Sequence, residues 1–151
     1  MRLASKLLDN LYLPSAVVIL ILFLVVNGWL AWPKAVYLGA GLVIGWFLIS
    51  VYLSLIKVPQ LALVFHSVIF QIGFLLFSFW LVTSSESLFA SGLILGINLL
   101  FVKELLFDYQ KRRSILKKRL FNNLEISDHL LLAYVVGFAL LVALLAVLVI
   151  L

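Results

Sequence analysis

The sequence predicts an all-α polytopic membrane protein with five transmembrane helices. Hydrophobic residues make up 66% of the 151 residues and charged residues only 11%, whereas soluble domains hold about 45–50% apolar and about 25% charged residues. The mean hydropathy is +1.30, and five apolar runs each approach the roughly 20 residues that a helix needs to cross a bilayer. No segment between them is long enough for a soluble domain, so residues 1–151 are interpreted as a single transmembrane domain.

The first two spans are predicted to form a helical hairpin. The first covers residues 14–32 and opens on a proline, which the first turn of a helix tolerates. This run resembles a secretory signal, but it ends in bulky tryptophans where a cleavage site needs small residues, so we interpret it as a retained span. A tight turn at residues 32–34 leads into the second span, residues 36–56.

A second hairpin is predicted to follow. Pro59 lacks an N–H donor and restricts the residue before it, which favours a turn at residues 57–60. The third span covers residues 61–82, and the fourth covers residues 88–107. The polar residues 83–87 form the turn between them.

A basic amphipathic helix, about residues 108–124, is predicted to continue from the fourth span. Its leucines fall on one face and basic residues cover most of the rest. Ser127 can cap the fifth span, residues 129–151, and Asp128 in its first turn suits the positive end of the helix dipole.

The distribution of positive charge predicts the orientation. With the N-terminus inside and the C-terminus outside, ten of the eleven Lys and Arg residues are cytoplasmic and only Lys34 is external. Short cytoplasmic loops carry such an excess of Lys and Arg. The predicted location is the plasma or inner membrane, crossed several times.

Two G-x-x-x-G motifs lie at corresponding places in the two hairpins. A shift of 51 residues places Gly41 on Gly92 and Gly45 on Gly96, which favours a tandem duplication, with chance similarity of apolar segments as the alternative. Glycines let helix backbones approach closely inside lipid, where the hydrophobic effect does not drive association. The motifs therefore predict a helix contact, either between the second and fourth spans of one chain or between subunits.

Gln71 and Asn98 are both predicted near the middle of the membrane, where a hydrogen bond between them is geometrically possible. In one interpretation these polar side chains bind or conduct a polar solute. In the other they form interhelical hydrogen bonds worth roughly 1 kcal/mol each, which only stabilise packing.

Basic residues between the fourth and fifth spans form the last candidate site. They set the orientation, and they also suit anionic lipid headgroups or an acidic partner. Nucleic acid is not favoured, because the aromatic residues there lie along the apolar stripe and are not free to stack on bases. The residues are Lys111, Arg112, Arg113, Lys117, Lys118 and Arg119.

Catalytic and metal-binding chemistry is not predicted. The chain has no cysteine, and none of its acidic residues falls in the middle of a predicted span. His66 and His129 could ligate a haem or hold a pigment, although hydrogen-bonded histidines near the interface are the simpler interpretation. We expect no catalytic residue, no metal and no cofactor.

These patterns predict a non-enzymatic membrane subunit or scaffold, acting through helix packing and its basic surface in a homo-oligomer or larger complex. Its expected partners are anionic lipid headgroups and other membrane subunits or further copies of itself. The alternative is a small transporter or channel subunit that uses Gln71 and Asn98. An enzyme acting on lipid and a haem protein are lesser alternatives.

Overall fold

The computed structural model describes residues 16, 19, 21–23, 25–28, 31–55, 67–121 and 126–150. Within these residues the chain is helical and contains no β-strand. Its helices are α1 Trp32–Leu55, α2 Val68–Ser84, α3 Leu88–Lys111, α4 Arg113–Phe121 and α5 Asp128–Ile150. Most of the predicted first span, the turn at residues 57–60 and the start of the third span lie outside the described residues.

Three helices are long and apolar enough to cross a membrane, namely residues Trp32–Ser50 of α1 and the whole of α3 and α5. Helix α2 is apolar but has 17 residues, about 25 Å, slightly less than the hydrocarbon thickness of about 30 Å. The chain is therefore a helical membrane protein with three candidate spans among the described residues. The five spans and their orientation stay predictions.

A serine caps the start of three helices in the same way. The hydroxyl of Ser67 accepts a hydrogen bond from the N–H of Phe70 at the start of α2. Ser87 does so at the start of α3. Ser127 accepts from Leu130 at the start of α5, which confirms the predicted cap. Each hydroxyl pairs one of the N–H groups that a helix start leaves without a partner.

Helices α1 and α3 approach each other through their backbones at glycines. A Cβ atom added to Gly41 would overlap the carbonyl oxygen of Phe89, and one added to Gly45 would overlap that of Leu93. The same relation holds for Gly92 with Leu38 and for Gly96 with Leu42. All four glycines are buried. Residues Gly41, Gly45, Gly92 and Gly96, called the glycine contact below, therefore join two helices of one chain.

The glycine contact has a local two-fold relation. Exchanging the two helices by the 51-residue shift turns the pair Gly41 and Phe89 into Gly92 and Leu38, and both pairs are present. The contact advances along both helices together, so α1 and α3 run in the same direction. Duplication of the whole hairpin stays a prediction, because most of its first helix lies outside the described residues.

Helices α2 and α5 pack against α3 in the opposite direction. The rings of Phe70 and Phe74 in α2 contact Phe101, and Ser78 further along α2 contacts Asn98, earlier in α3. Helix α5 begins at the end of the bundle where α3 finishes and runs back beside it. One stripe of α5 is buried along its whole length and consists of Leu131, Val135, Phe138, Val142, Leu145 and Val149.

The turn predicted at residues 32–34 is wrong. Helix α1 already begins at Trp32, and Pro33 lies in its first turn, where a missing N–H costs nothing because that position has no helical partner. The chain turns earlier, at Asn27 and Gly28. Gly28 has φ of +73°, a conformation that glycine adopts without steric cost.

The predicted continuous helix from the fourth span to residue 124 is also wrong. The backbone breaks at Arg112, with φ of −146° and ψ of 48°, and α4 starts afresh. In α4, Leu116 and Leu120 are buried against the core, each contributing about 1.5–3 kcal/mol. A straight continuation of α3 would carry these leucines away from the bundle, so their burial favours the break.

We expect Gly41→Ile to destabilise the protein by about 3 kcal/mol or more, because its side chain must displace the backbone of α3 rather than a flexible side chain. Gly39→Ile is the matched control, two residues away on the same helix, where an added Cβ meets no atom within 4 Å. Unfolding by a denaturing detergent, followed by circular dichroism, measures the difference. Equal stability of the two variants would contradict the glycine contact.

Candidate functional site

Two separate groups of hydrogen-bonded polar side chains join helices among the described residues. The first joins α2 to α3. The Asn98 side-chain amide donates to the hydroxyl of Ser78 at 2.8 Å and to the carbonyl oxygen of Ile94 at 3.0 Å. The Ser78 hydroxyl in turn donates to the carbonyl oxygen of Phe74 at 2.7 Å. Asn98 and Ser78 are both fully buried, and Asn98 lies ten residues, about 15 Å, from the start of α3.

One atom of this group has no hydrogen-bond partner among the described residues. Asn98 Oδ1 is buried and accepts no hydrogen bond there. Its amide nitrogen already serves two oxygens, so reversing the side-chain amide would place oxygen against oxygen. Asn98 therefore presents one buried acceptor beside the α2–α3 interface.

The second polar group joins α2 to α5. The Tyr134 hydroxyl donates to Gln71 Oε1 at 2.6 Å, and Gln71 is 1% exposed. Gln71 lies four residues after the cap Ser67, and Tyr134 lies six residues after the start of α5. Both are therefore about 6–9 Å from the starts of their helices. This places them closer to the end of the bundle that carries α4, and not at the middle of the membrane, where Gln71 was predicted.

The predicted hydrogen bond between Gln71 and Asn98 is not formed. Asn98 bonds instead to Ser78, seven residues beyond Gln71 on the same face of α2, a distance of about 10 Å along the helix. Tyr134 was not predicted as the partner of Gln71. Its signal was available, because a tyrosine hydroxyl within an aliphatic span needs a partner that lipid cannot provide.

The described part of the basic site lies at the end of α3, at the break and in α4. Lys111, Arg112 and Arg113 are exposed, whereas the side chains of Lys118 and Arg119 lie outside the described residues. The Arg113 guanidinium lies over the Tyr109 ring at 4.6 Å, and its Nε donates to the Tyr109 carbonyl oxygen at 3.1 Å. In an unbroken helix that carbonyl would accept from the backbone N–H of residue 113. The Arg113 side chain thus replaces the lost backbone bond and stabilises the break.

A salt bridge attaches α4 to α5. The Lys117 ammonium lies 2.6 Å from the Asp128 carboxylate, and the two side chains are 29% and 62% exposed. One turn further along α4, the Phe121 ring contacts Tyr134 edge to face, with ring centroids 6.1 Å apart. Residues Lys111, Arg112, Arg113 and Lys117, called the basic surface below, are therefore held at one end of the bundle.

Aromatic rings also accompany the lysines of α3. The Lys103 ammonium lies 5.6 Å from the centroid of the Trp46 ring in α1, and Lys111 lies 4.6 Å from that of Phe107. Such contacts stabilise an ammonium group that is partly withdrawn from water. They accommodate cations near the end of α3.

One of the two candidate cofactor ligands lies among the described residues. His129 is exposed at the start of α5, and His66 lies outside the described residues. Across the described ranges, no group of three or more His, Cys, Asp or Glu side chains could hold a metal ion. Comparison of the chain with models of known families, with curated proteins and with solved structures finds no match.

Proposed function

We propose that this chain is a non-enzymatic integral membrane subunit that presents its basic surface to anionic groups within a membrane complex. The observation that carries the proposal is the break at Arg112. It lets Leu116 and Leu120 attach α4 to the core, while Arg112 and Arg113 remain exposed. The cations are thus fixed in place by packing and helix capping, and do not depend on a flexible loop.

The complete proposal has five spans with the N-terminus inside and the basic surface cytoplasmic. Its support is that α1 and α3 run in the same direction while α2 and α5 run oppositely, as alternating spans would. The excess of Lys and Arg at the end of α3 and in α4 supports the orientation. Lys34, at the start of α1, lies at the opposite end.

Single cysteines test this topology, because the chain has none of its own. We expect a membrane-impermeant maleimide added to intact cells to label Ala31→Cys and Glu86→Cys, at exposed positions before α1 and α3. Ser114→Cys, exposed on α4, should react only after the membrane is opened. Labelling of Ser114→Cys in intact cells, or of all three alike, would contradict the topology.

The functional proposal is tested on the full chain extracted from its own membrane in mild detergent. Native mass spectrometry should find stoichiometric further copies or foreign subunits. Lys111→Gln with Arg112→Gln should weaken this association by roughly 10–30-fold, since a basic residue near an anionic surface contributes about 1 kcal/mol. Lys34→Gln, which removes one charge at the opposite end, is the control and should leave the association unchanged. A monomer without other subunits would contradict the proposal.

A second candidate is a small transporter or channel subunit for a polar solute. The observation that favours it is the buried acceptor Asn98 Oδ1 beside Ser78, since polar groups inside a membrane often mark solute paths. In reconstituted vesicles, Asn98→Leu and Gln71→Leu should then abolish flux while the protein stays folded. Gln110→Leu, exposed near the end of α3, is the matched control. Unchanged flux in the first two variants would eliminate this function.

A further inference from the structure

A cleft lies between α2 and α5, and all of its lining residues belong to these two helices. Its volume is about 300 Å³. One helical face of α2 and one of α5 line it, and the lining residues used below are Ile72, Phe79, Ala133, Tyr134, Gly137 and Leu141. Alanine and glycine on α5 create the space, because a Cβ added to Gly137 would meet no atom within 4 Å.

The walls of the cleft suit a hydrocarbon chain. The hydroxyl of Tyr134 is turned to Gln71, so the tyrosine contributes its ring to a lining that is otherwise apolar. From Ala133 to Leu141 the cleft extends for eight residues, or about 12 Å along α5. The hydrocarbon of one leaflet is about 15 Å thick, half of the bilayer core. The cleft lies parallel to the helices and has nearly this length.

The basic surface lies at one end of this cleft. Phe121 of α4 contacts Tyr134, a residue of the cleft wall. One turn before Phe121, Lys117 binds Asp128 at the start of α5. Ala133 is only five residues from Asp128, about 7–8 Å. The Lys117 ammonium therefore lies where the headgroup of a lipid would be if one of its acyl chains filled the cleft.

We propose that the α2–α5 cleft and Lys117 together bind one anionic phospholipid, with an acyl chain against Gly137 and the phosphate at Lys117. The inference rests on the proposed function in taking α4 to lie at a membrane surface. Charge selects the occupant, because a neutral membrane helix would fill the cleft without using the cations beside it. The phosphate competes with the Asp128 carboxylate for the Lys117 ammonium, since that side chain remains partly exposed.

The test uses the purified full chain in mild detergent, titrated with phosphatidylglycerol or with phosphatidylcholine and followed by native mass spectrometry. We expect one phosphatidylglycerol per chain, retained at least about ten-fold better than phosphatidylcholine. Gly137→Leu places a side chain in the cleft, where an added Cβ meets no atom within 4 Å, and should lower this retention about ten-fold. Gly73→Leu is the matched control, because an added Cβ at Gly73 also meets no atom within 4 Å, but Gly73 does not line the cleft.

Two charge variants distinguish headgroup binding by Lys117 from a purely structural role of the salt bridge between α4 and α5. Lys117→Gln should weaken phosphatidylglycerol binding about five-fold. Asp128→Asn removes the competing carboxylate and should strengthen it. If Asp128→Asn weakens binding as Lys117→Gln does, the salt bridge matters only as a brace and the proposed site is wrong.

Other outcomes distinguish this site from the proposed function. Lipid retention that depends on headgroup charge but is unchanged in Gly137→Leu would contradict an acyl chain in the cleft. The proposed role of the basic surface would then still stand. Equal retention of the two lipids would overturn the selection of anionic headgroups, both for the lipid site and for the proposed function. A dimer that becomes monomeric in Gly137→Leu, with no loss of lipid, would make the cleft an interface between copies and overturn the lipid site.

Discussion

The close approach of α1 and α3 at the glycine contact constrains the rest of the bundle. Backbone meets backbone there, and the order of the contacts along both helices fixes their common direction and their register. The chain between them has to return, and α2 does so beside α3. Of the three candidate spans, α3 is the most enclosed. In its apolar stretch of 18 residues 56% are buried, whereas the corresponding shares are 33% in α1 and 28% in α5. Helix α3 is therefore the central element, with α1 on one side and α2 and α5 on the other.

The two polar groups fix the relative positions of helices that apolar packing alone would not fix. Inside lipid, exposed hydrocarbon gains nothing by meeting another helix, so contacts depend on shape and on hydrogen bonds. The glycine contact supplies shape between α1 and α3. Between α2 and α5 the cleft leaves fewer contacts, and the bond from Tyr134 to Gln71 gives these helices a specific relation. Asn98 and Ser78 do the same for α2 and α3, at the cost of one buried acceptor.

The sequence predicts the helices better than it predicts their contacts. Serine caps and apolar runs are local signals, so the starts of α3 and α5 are found within a residue. The glycine motifs indicate a close contact, but a motif alone does not tell whether its partner is in the same chain. The partner of Gln71 was missed because it lies 63 residues away along the chain, in another helix. Local patterns hold no information on such distant pairs.

The break at Arg112 also depends on tertiary packing, and it decides where the charges lie. No glycine or proline marks it, and the basic residues alone would be compatible with a straight helix extending into water. Leu116 and Leu120 can reach the core only if the helix turns aside, and the Arg113 side chain compensates the carbonyl group that the turn leaves unpaired. In the proposed orientation the cations then lie along the end of the bundle, close to the membrane surface. Charges in salt solution interact appreciably only within roughly 8–10 Å of each other. In the proposed function, Leu116 and Leu120 thus determine whether the positive charge acts on the membrane surface or extends beyond it.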